Sequence, residues 1–237
     1  MPNSLIVDNL HKVTEAIHAA ADSVGRKANE IRLVAVTKGQ PVEKVHLAIE
    51  AGIKNIGENY VEESIPKIES VGKGSRVEWH MIGHVQSRKA RKVCENFDWV
   101  QSIDSLRLAK RLDRFAGELD VQIPVLLECN VSGEESKFGL AAWNELEWNE
   151  LAGEIAPILD LGNLQVKGLM TMPPFFADPN HARPYFIRLR KLSDYLASQF
   201  PNHDWHELSM GMSADFEVAI QEGATIVRIG TAILGPR

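Results

Sequence analysis

The chain predicts an α/β fold, a single (β/α)8 TIM barrel with an extra N-terminal helix, and three observations carry that expectation. Eight short apolar runs recur along the sequence, segments of helical character separate them, and the 237 residues are close to the ~250 typical of such a barrel. Parallel neighbours need crossover connections, and eight strand-and-helix units can close into a ring.

Taken in order, Leu5, Val7, Leu10, Val13, Ile17, Ala20 and Val24 recur at roughly helical spacing and predict an amphipathic opening helix that stops near Gly25. Strands are predicted at 31–36, 53–56, 77–82, 99–103, 123–129, 164–170, 205–208 and 225–229. Helices are predicted at 41–51, with proline early, at 105–117 and at 213–222. Met172-Pro173-Pro174-Phe175-Phe176-Ala177-Asp178-Pro179 contains three prolines, which keep a helix from starting directly after the strand. A surface loop walling a pocket is expected there. No Gly/Ser-rich linker, charge block or low-complexity tract divides the chain, so residues 1–237 are expected to form one domain.

Composition narrows the function classes. A hydrophobic share of 44% supports a substantial core, and a formal net charge of −6 leaves no global positive field for nucleic acid or an anionic membrane. Cys94 and Cys129 are far apart and form no CxxC pattern, so neither a disulfide framework nor a metal site is expected, and a cytoplasmic location fits. Asp8, His11, Lys12, Glu15, His18 and Asp22 interrupt the N-terminal stretch too often for a signal peptide or a membrane span.

Polar residues collect just after the strands, at the end of a parallel barrel from which active-site loops project. Lys38, Asn59, His84, Gln86, the 132–137 segment, Ser209 and Gly230-Thr231 would converge on one mouth. Lys38 is in register with Val34 and Val36, so if those valines point inward the ammonium does too. Burial favours the neutral, nucleophilic amine that Schiff-base formation with an aldehyde requires. The same position also suits a lysine that opens a surface loop. Arg228 and Gly230 share one side of the last strand, and Leu208-Ser209-Met210-Gly211-Met212-Ser213 places hydroxyls and a glycine before a helix. Loops after strands seven and eight form the usual phosphate site of this architecture. A purely structural alternative makes Ser213 an N-cap and Gly230 a relief of crowding.

Other features point elsewhere. His80 and His84 would share a face only on a helix, and here a strand runs through Gly83 into a loop, so zinc is not expected. Arg88, Lys89, Arg91 and Lys92 form a basic cluster whose ordinary role is a solvated helix face. No GxxxxGK[ST], GxSxG or post-strand GxGxxG run supports nucleotide, esterase or dinucleotide chemistry.

Ala35-Val36-Thr37-Lys38, Gly57-Glu58-Asn59-Tyr60, the 79–86 run Trp-His-Met-Ile-Gly-His-Val-Gln, Gly168-Leu169-Met170-Thr171-Met172-Pro173-Pro174, Leu208-Ser209-Met210-Gly211-Met212-Ser213 and Val227-Arg228-Ile229-Gly230-Thr231 occur together, in order. With these motifs the chain resembles the pyridoxal phosphate homeostasis protein family, single-domain relatives of the alanine racemase N-terminal barrel, over essentially its whole length. The resemblance implies that Lys38 forms the covalent aldimine with pyridoxal 5'-phosphate, that Ser209, Gly230 and Thr231 bind the phosphate, and that Arg228 faces the pyridine nitrogen. Asn59 and Met172 match positions beside the cofactor. One departure, Val85-Gln86-Ser87-Arg88-Lys89 where many relatives read Leu-Gln-x-Asn-Lys, bears on that loop and not on the cofactor site.

An arginine facing the ring nitrogen disfavours its protonation and weakens the ring as an electron sink. In the racemase relative a second acid/base comes from a further domain of the partner subunit, and this sequence ends at Arg237 without one. The expectation is therefore a cytoplasmic, monomeric carrier or buffer of pyridoxal phosphate in vitamin B6 homeostasis, with no catalytic residue assigned. Free amino acids and pyridoxal phosphate-dependent client enzymes would be its partners. Two rivals remain: an amino-acid racemase with His84 or Lys137 as the missing acid, and an RNA- or protein-contacting regulator using the 88–92 cluster.

Overall fold

Closure of the barrel occurs where the fourth and fifth strands meet. The computed structural model describes residues 2–72 and 75–236, so the ends of the predicted 1–237 domain, Met1 and Arg237, lie outside the described residues. The ring consists of β1 (Arg32–Val36), β2 (Asn55–Glu58), β3 (Glu78–Met81), β4 (Trp99–Ile103) and β5 (Ile123–Asn130), followed by β7 (Leu164–Met170), β8 (Glu207–Ser209) and β9 (Ile226–Ile229). A two-residue strand, β6 (Leu140–Ala141), only extends the end of β5. All pairings are parallel; β1 joins β2 and β9, and Val100 of β4 pairs with Val125 of β5 to complete a (β/α)8 TIM barrel.

Helices α1 (Pro2–Asp22), α2 (Val42–Glu50), α3 (Val61–Val71), α4 (Ala90–Asn96), α5 (Leu106–Glu118), α6 (Trp148–Leu159), α7 (Arg183–Gln199), α8 (Phe216–Gln221) and α9 (Thr231–Leu234) complete the fold. The extra helix α1 is tied to the C-terminal end, where Asn9 Nδ2 donates to the Ile233 carbonyl at 3.1 Å. Its buried stripe is Ile6, Val13, Ile17, Ala20 and Ala21, with Leu10 at the edge. Leu5, Val7 and Val24, expected on that stripe, are exposed: at 100° per residue Leu5 and Val7 fall to either side of it, and Val24 lies in the turn beyond the helix end. Among the described residues no helix is long and apolar enough to cross a membrane.

The two-residue strand period sorts side chains between barrel interior and outer layer. Val34, Leu126, Met170 and Ile226 form a small interior cluster with Trp99 against it. Their chain neighbours Ala35, Leu127, Leu169 and Val227 join the larger core under the helices. Counting onward by twos from the interior members reaches Val36 and Lys38, Glu128, Met172, and Arg228 and Gly230. Those residues therefore rise on the inner wall toward the mouth.

The predicted helix at 213–222 starts later, at Phe216, with Asp215 in the capping position. Ser213 does not cap it. The Asp215 carboxylate turns back to accept from Met212 N at 2.7 Å, which holds 213–215 as a turn, and Ser213 Oγ accepts from Ala232 N at 3.4 Å instead.

Candidate functional site

Six of the seven residues singled out by sequence, Lys38, Asn59, Met172, Arg228, Gly230 and Thr231, line one cavity of about 270 Å3 at the barrel mouth. Met212, Ser213 and Ala214 close one side and Phe175, from the proline-rich loop, stands over another. The volume is near the lower end of the roughly 300–1,000 Å3 usual for small-molecule sites.

The β1 end that presents Lys38 is braced from below. Thr37 Oγ1 donates to Glu58 Oε1 at 2.6 Å, and Lys67 Nζ reaches the Thr37 carbonyl at 2.8 Å and Glu58 Oε1 at 2.7 Å. Lys67 also pairs with Glu63 at 2.7 Å, whose carboxylate accepts from Gly39 N at 2.6 Å. Burial pushes the Glu58 carboxyl above its ordinary range, and the hydrogen bonds from Lys67 and Thr37 pull against that shift. Sequence reading missed this brace because its members lie on three different elements and match no motif.

Gly83 lets the chain leaving β3 pass close to β2. A Cβ there would stand 2.5 Å from the Asn59 carbonyl oxygen and 2.7 Å from its Cα, so only glycine leaves Asn59 where it is. At Gly230 a Cβ would meet the Val36 carbonyl oxygen at 3.1 Å, which lets β9 run close against β1 beneath the cavity.

Arg228 is 3% exposed and points inward. Its Nη1 donates to Ser209 Oγ at 2.5 Å and its Nη2 to the Thr171 carbonyl at 2.8 Å. The contact with Ser209 begins a directed chain: Ser209 Oγ donates to Gln101 Oε1 at 2.6 Å, Gln101 Nε2 to His80 Nδ1 at 3.0 Å, and His80 Nε2 to Asn55 Oδ1 at 3.2 Å. Only a neutral His80 carrying its proton on Nε2 satisfies both neighbours. Burial agrees, pushing the His80 pKa down to about 3. Burial also lowers Arg228 to about 10, opposed by Glu128 and Asp215, so it keeps its charge at neutral pH.

Ser209, expected at the phosphate, is the exception among the seven. It is fully buried with its hydroxyl committed to Gln101 and Arg228, because β8 turns it into the barrel interior. Ser213, four residues on, is the serine that lines the cavity, next to Thr231 and the start of α9, where N–H groups lack partners within the helix.

His84, Gln86 and Lys137 line adjoining cavities. His84 Nδ1 is 2.9 Å from Asp104 Oδ2 and its ring stacks on Phe138 at 4.0 Å. Lys137 Nζ donates to the Met172 carbonyl at 2.7 Å and pairs with Glu134 at 3.2 Å. In the basic cluster, Lys89 pairs with Glu62, and Arg91 with Glu95 and Glu118. Glu128, which the sequence reading did not single out, lies 3% exposed on the interior row of β5, where burial, aided by Asp104, pushes its carboxyl up to about 7 against the opposing charge of Arg228.

Comparison with known proteins gives the fold its family. Residues 13–237 match the model of the alanine racemase N-terminal domain. The alanine racemase of Streptomyces coelicolor A3(2) shares the fold, with a TM-score of 0.72 at 16% identity over 98% of this chain and 58% of that one. Fold and site thus define a barrel of the alanine racemase N-terminal class.

Within that class, the pyridoxal phosphate homeostasis protein of Vibrio alginolyticus is 41% identical over 99% of this chain and 98% of its own length. Its namesake in Aquifex aeolicus (strain VF5) is 40% identical over 97% of each. The solved structure of PipY from Synechococcus elongatus PCC7942 with PLP bound superposes with a TM-score of 0.82 at 33% identity, covering 97% of this chain and 100% of that one. The chain belongs to the pyridoxal phosphate homeostasis protein family.

Proposed function

We propose that this protein holds pyridoxal 5'-phosphate in the Lys38 cavity and serves vitamin B6 homeostasis as a cytoplasmic carrier and buffer of that cofactor, without robust racemase activity. The observation that carries the proposal is the donor set around one small space: a primary amine on Lys38, a guanidinium on Arg228, and hydroxyls and amides on Ser213, Gly230 and Thr231. An amine suits an aldehyde, and N–H and O–H donors at the start of a helix suit a phosphate. The relatives' names and the PLP bound to PipY support the same reading.

When bound, the cofactor supplies an aldehyde that amines capture reversibly and a ring that can withdraw electrons. Lys38 would hold the aldehyde, while Ser213, Gly230 and Thr231 hold the phosphate. Asn59 and Met172 would wall the ring. Arg228, fixed by Ser209 and Thr171, can only donate, so it would leave the nitrogen of a bound ring unprotonated and the ring a weak electron sink. Neither His84 nor Lys137 lines the Lys38 cavity, and each already has a carboxylate partner, which favours storage over two-base proton exchange. Free amino acids and client enzymes would receive the cofactor from a monomer built as one domain over residues 1–237.

Two measurements test the proposal. Purified protein should take up the cofactor and show a visible absorbance band that Lys38→Ala loses. Solvent deuterium exchange at Cα of alanine should be far below turnover of about 1 per second; exchange at or above that rate would establish a racemase instead.

A further inference from the structure

Beside the Lys38 cavity, and sharing Asn59 and Met172 with it, lies a second cavity of about 370 Å3 that reaches down to Met81 and Glu128. Two acceptor oxygens in its lining residues are buried without a hydrogen-bond partner: Glu128 Oε2 and Asn59 Oδ1. Neither is relieved from within the barrel. Arg228 donates to Ser209 and Thr171 and reaches Glu128 only through its charge, which burial and the like charge of Asp104 outweigh. Burying a carboxylate oxygen without a hydrogen-bond donor is costly even where a cation acts on the group from a distance, and unpartnered acceptors on two residues lining one space call for a ligand made of donors.

We propose that this cavity is a subsite for the ammonium group of a primary amine or amino acid, received by the Glu128 carboxylate and the Asn59 amide oxygen. An ammonium carries three donors and no acceptor, which matches both orphan oxygens. The exposed rings of Tyr60 and Phe138 offer an aliphatic stem an apolar wall at the rim, and Lys89, which also lines this cavity, has its charge met by Glu62. Burial, with Asp104 nearby, raises the Glu128 pKa beyond what Arg228 can offset, and an ammonium neighbour would act against that shift. Binding of the amine stands on these oxygens alone; its meaning, an acceptor amine seated next to the amine-held aldehyde, rests on the proposed function.

The test uses cofactor-free full-length protein titrated with n-propylammonium chloride at about pH 8, with the amides of Asn59, Gly83 and Glu128 followed by NMR. Saturable shifts are expected, with affinity at least about tenfold weaker in Glu128→Gln and unchanged in Lys38→Ala. Tetramethylammonium, which has no N–H, should not compete. Shifts that do not saturate, equal affinity in Glu128→Gln, or equal binding of tetramethylammonium would overturn the inference. Should Glu128→Gln fail to fold, Asn59→Ala removes the other acceptor and carries the same expectation. Uptake of pyridoxal phosphate is read separately by absorbance. Ammonium binding without cofactor uptake keeps the subsite and removes the proposed function, and the converse result removes only the subsite.

Discussion

Inside the barrel the Arg228 guanidinium donates to the Ser209 hydroxyl at 2.5 Å, and this contact determines which serine is free for a ligand. Ser209→Ala leaves a buried charged donor short of an acceptor and Gln101 short of a donor. We expect a stability loss of about 1–3 kcal/mol in urea melts with little change in cofactor affinity. Ser213→Ala should do the reverse, weakening affinity by about tenfold at little cost in stability. Weaker binding in Ser209→Ala than in Ser213→Ala would return the phosphate to Ser209.

Two buried groups give stability opposite pH dependences. His80 is pushed down from 6.5 to about 3, so the unfolded chain takes up its proton first. Stability from neutral His80 is complete above about pH 6.5 and is lost as pH falls toward about 3. Glu128 is pushed up from 4.5 to about 7, so its contribution is present below about pH 4.5 and is lost as pH rises through about 7. Denaturant melts across this range should show Glu128→Gln gaining on the parent protein as pH rises, by an amount on the order of a few kcal/mol. A pH-independent difference between the two would mean that Glu128 is not held in a shifted state.

Lys67 compensates Glu58 beneath the end of β1. Lys67→Met should destabilise by about 3–5 kcal/mol, because it leaves a buried carboxylate without its cation. Adding Glu58→Gln to that variant should recover part of the loss. Thermal melts of the single and double variants measure the coupling, and strict additivity would show that the pair does not act as a unit.

Gly83→Ala tests the close passage that positions Asn59. The added methyl must displace the Asn59 backbone, so cofactor affinity should fall by about tenfold or more while the barrel still folds. Unchanged affinity would show that Asn59 tolerates displacement.

Much of this was legible in the sequence, and the failures have physical reasons. The eight predicted strands correspond to β1–β5 and β7–β9, because each is an apolar run bounded by polar or turn residues. Reading Lys38 by its two-residue register with Val34 led correctly to the mouth, since Val34 does face the interior. Ser209 was expected at the cavity wall and lies beneath it, because a hydroxyl at the end of a strand looks the same in sequence whether it faces ligand or a buried arginine. Glu128 was overlooked inside an apolar strand, although its register with Leu126 was a usable signal. The Glu58–Lys67 brace depends on packing of α3 against the β1 and β2 ends, which no local pattern encodes.

The central claim is that the Lys38 amine holds the cofactor's aldehyde. Borohydride reduction of protein loaded with pyridoxal phosphate, followed by proteolysis and mass mapping, tests it most directly. The account predicts a reduced pyridoxyl adduct on Lys38 and loss of that adduct in Lys38→Ala. An adduct found chiefly on another lysine, with Lys38 unmodified, would contradict it.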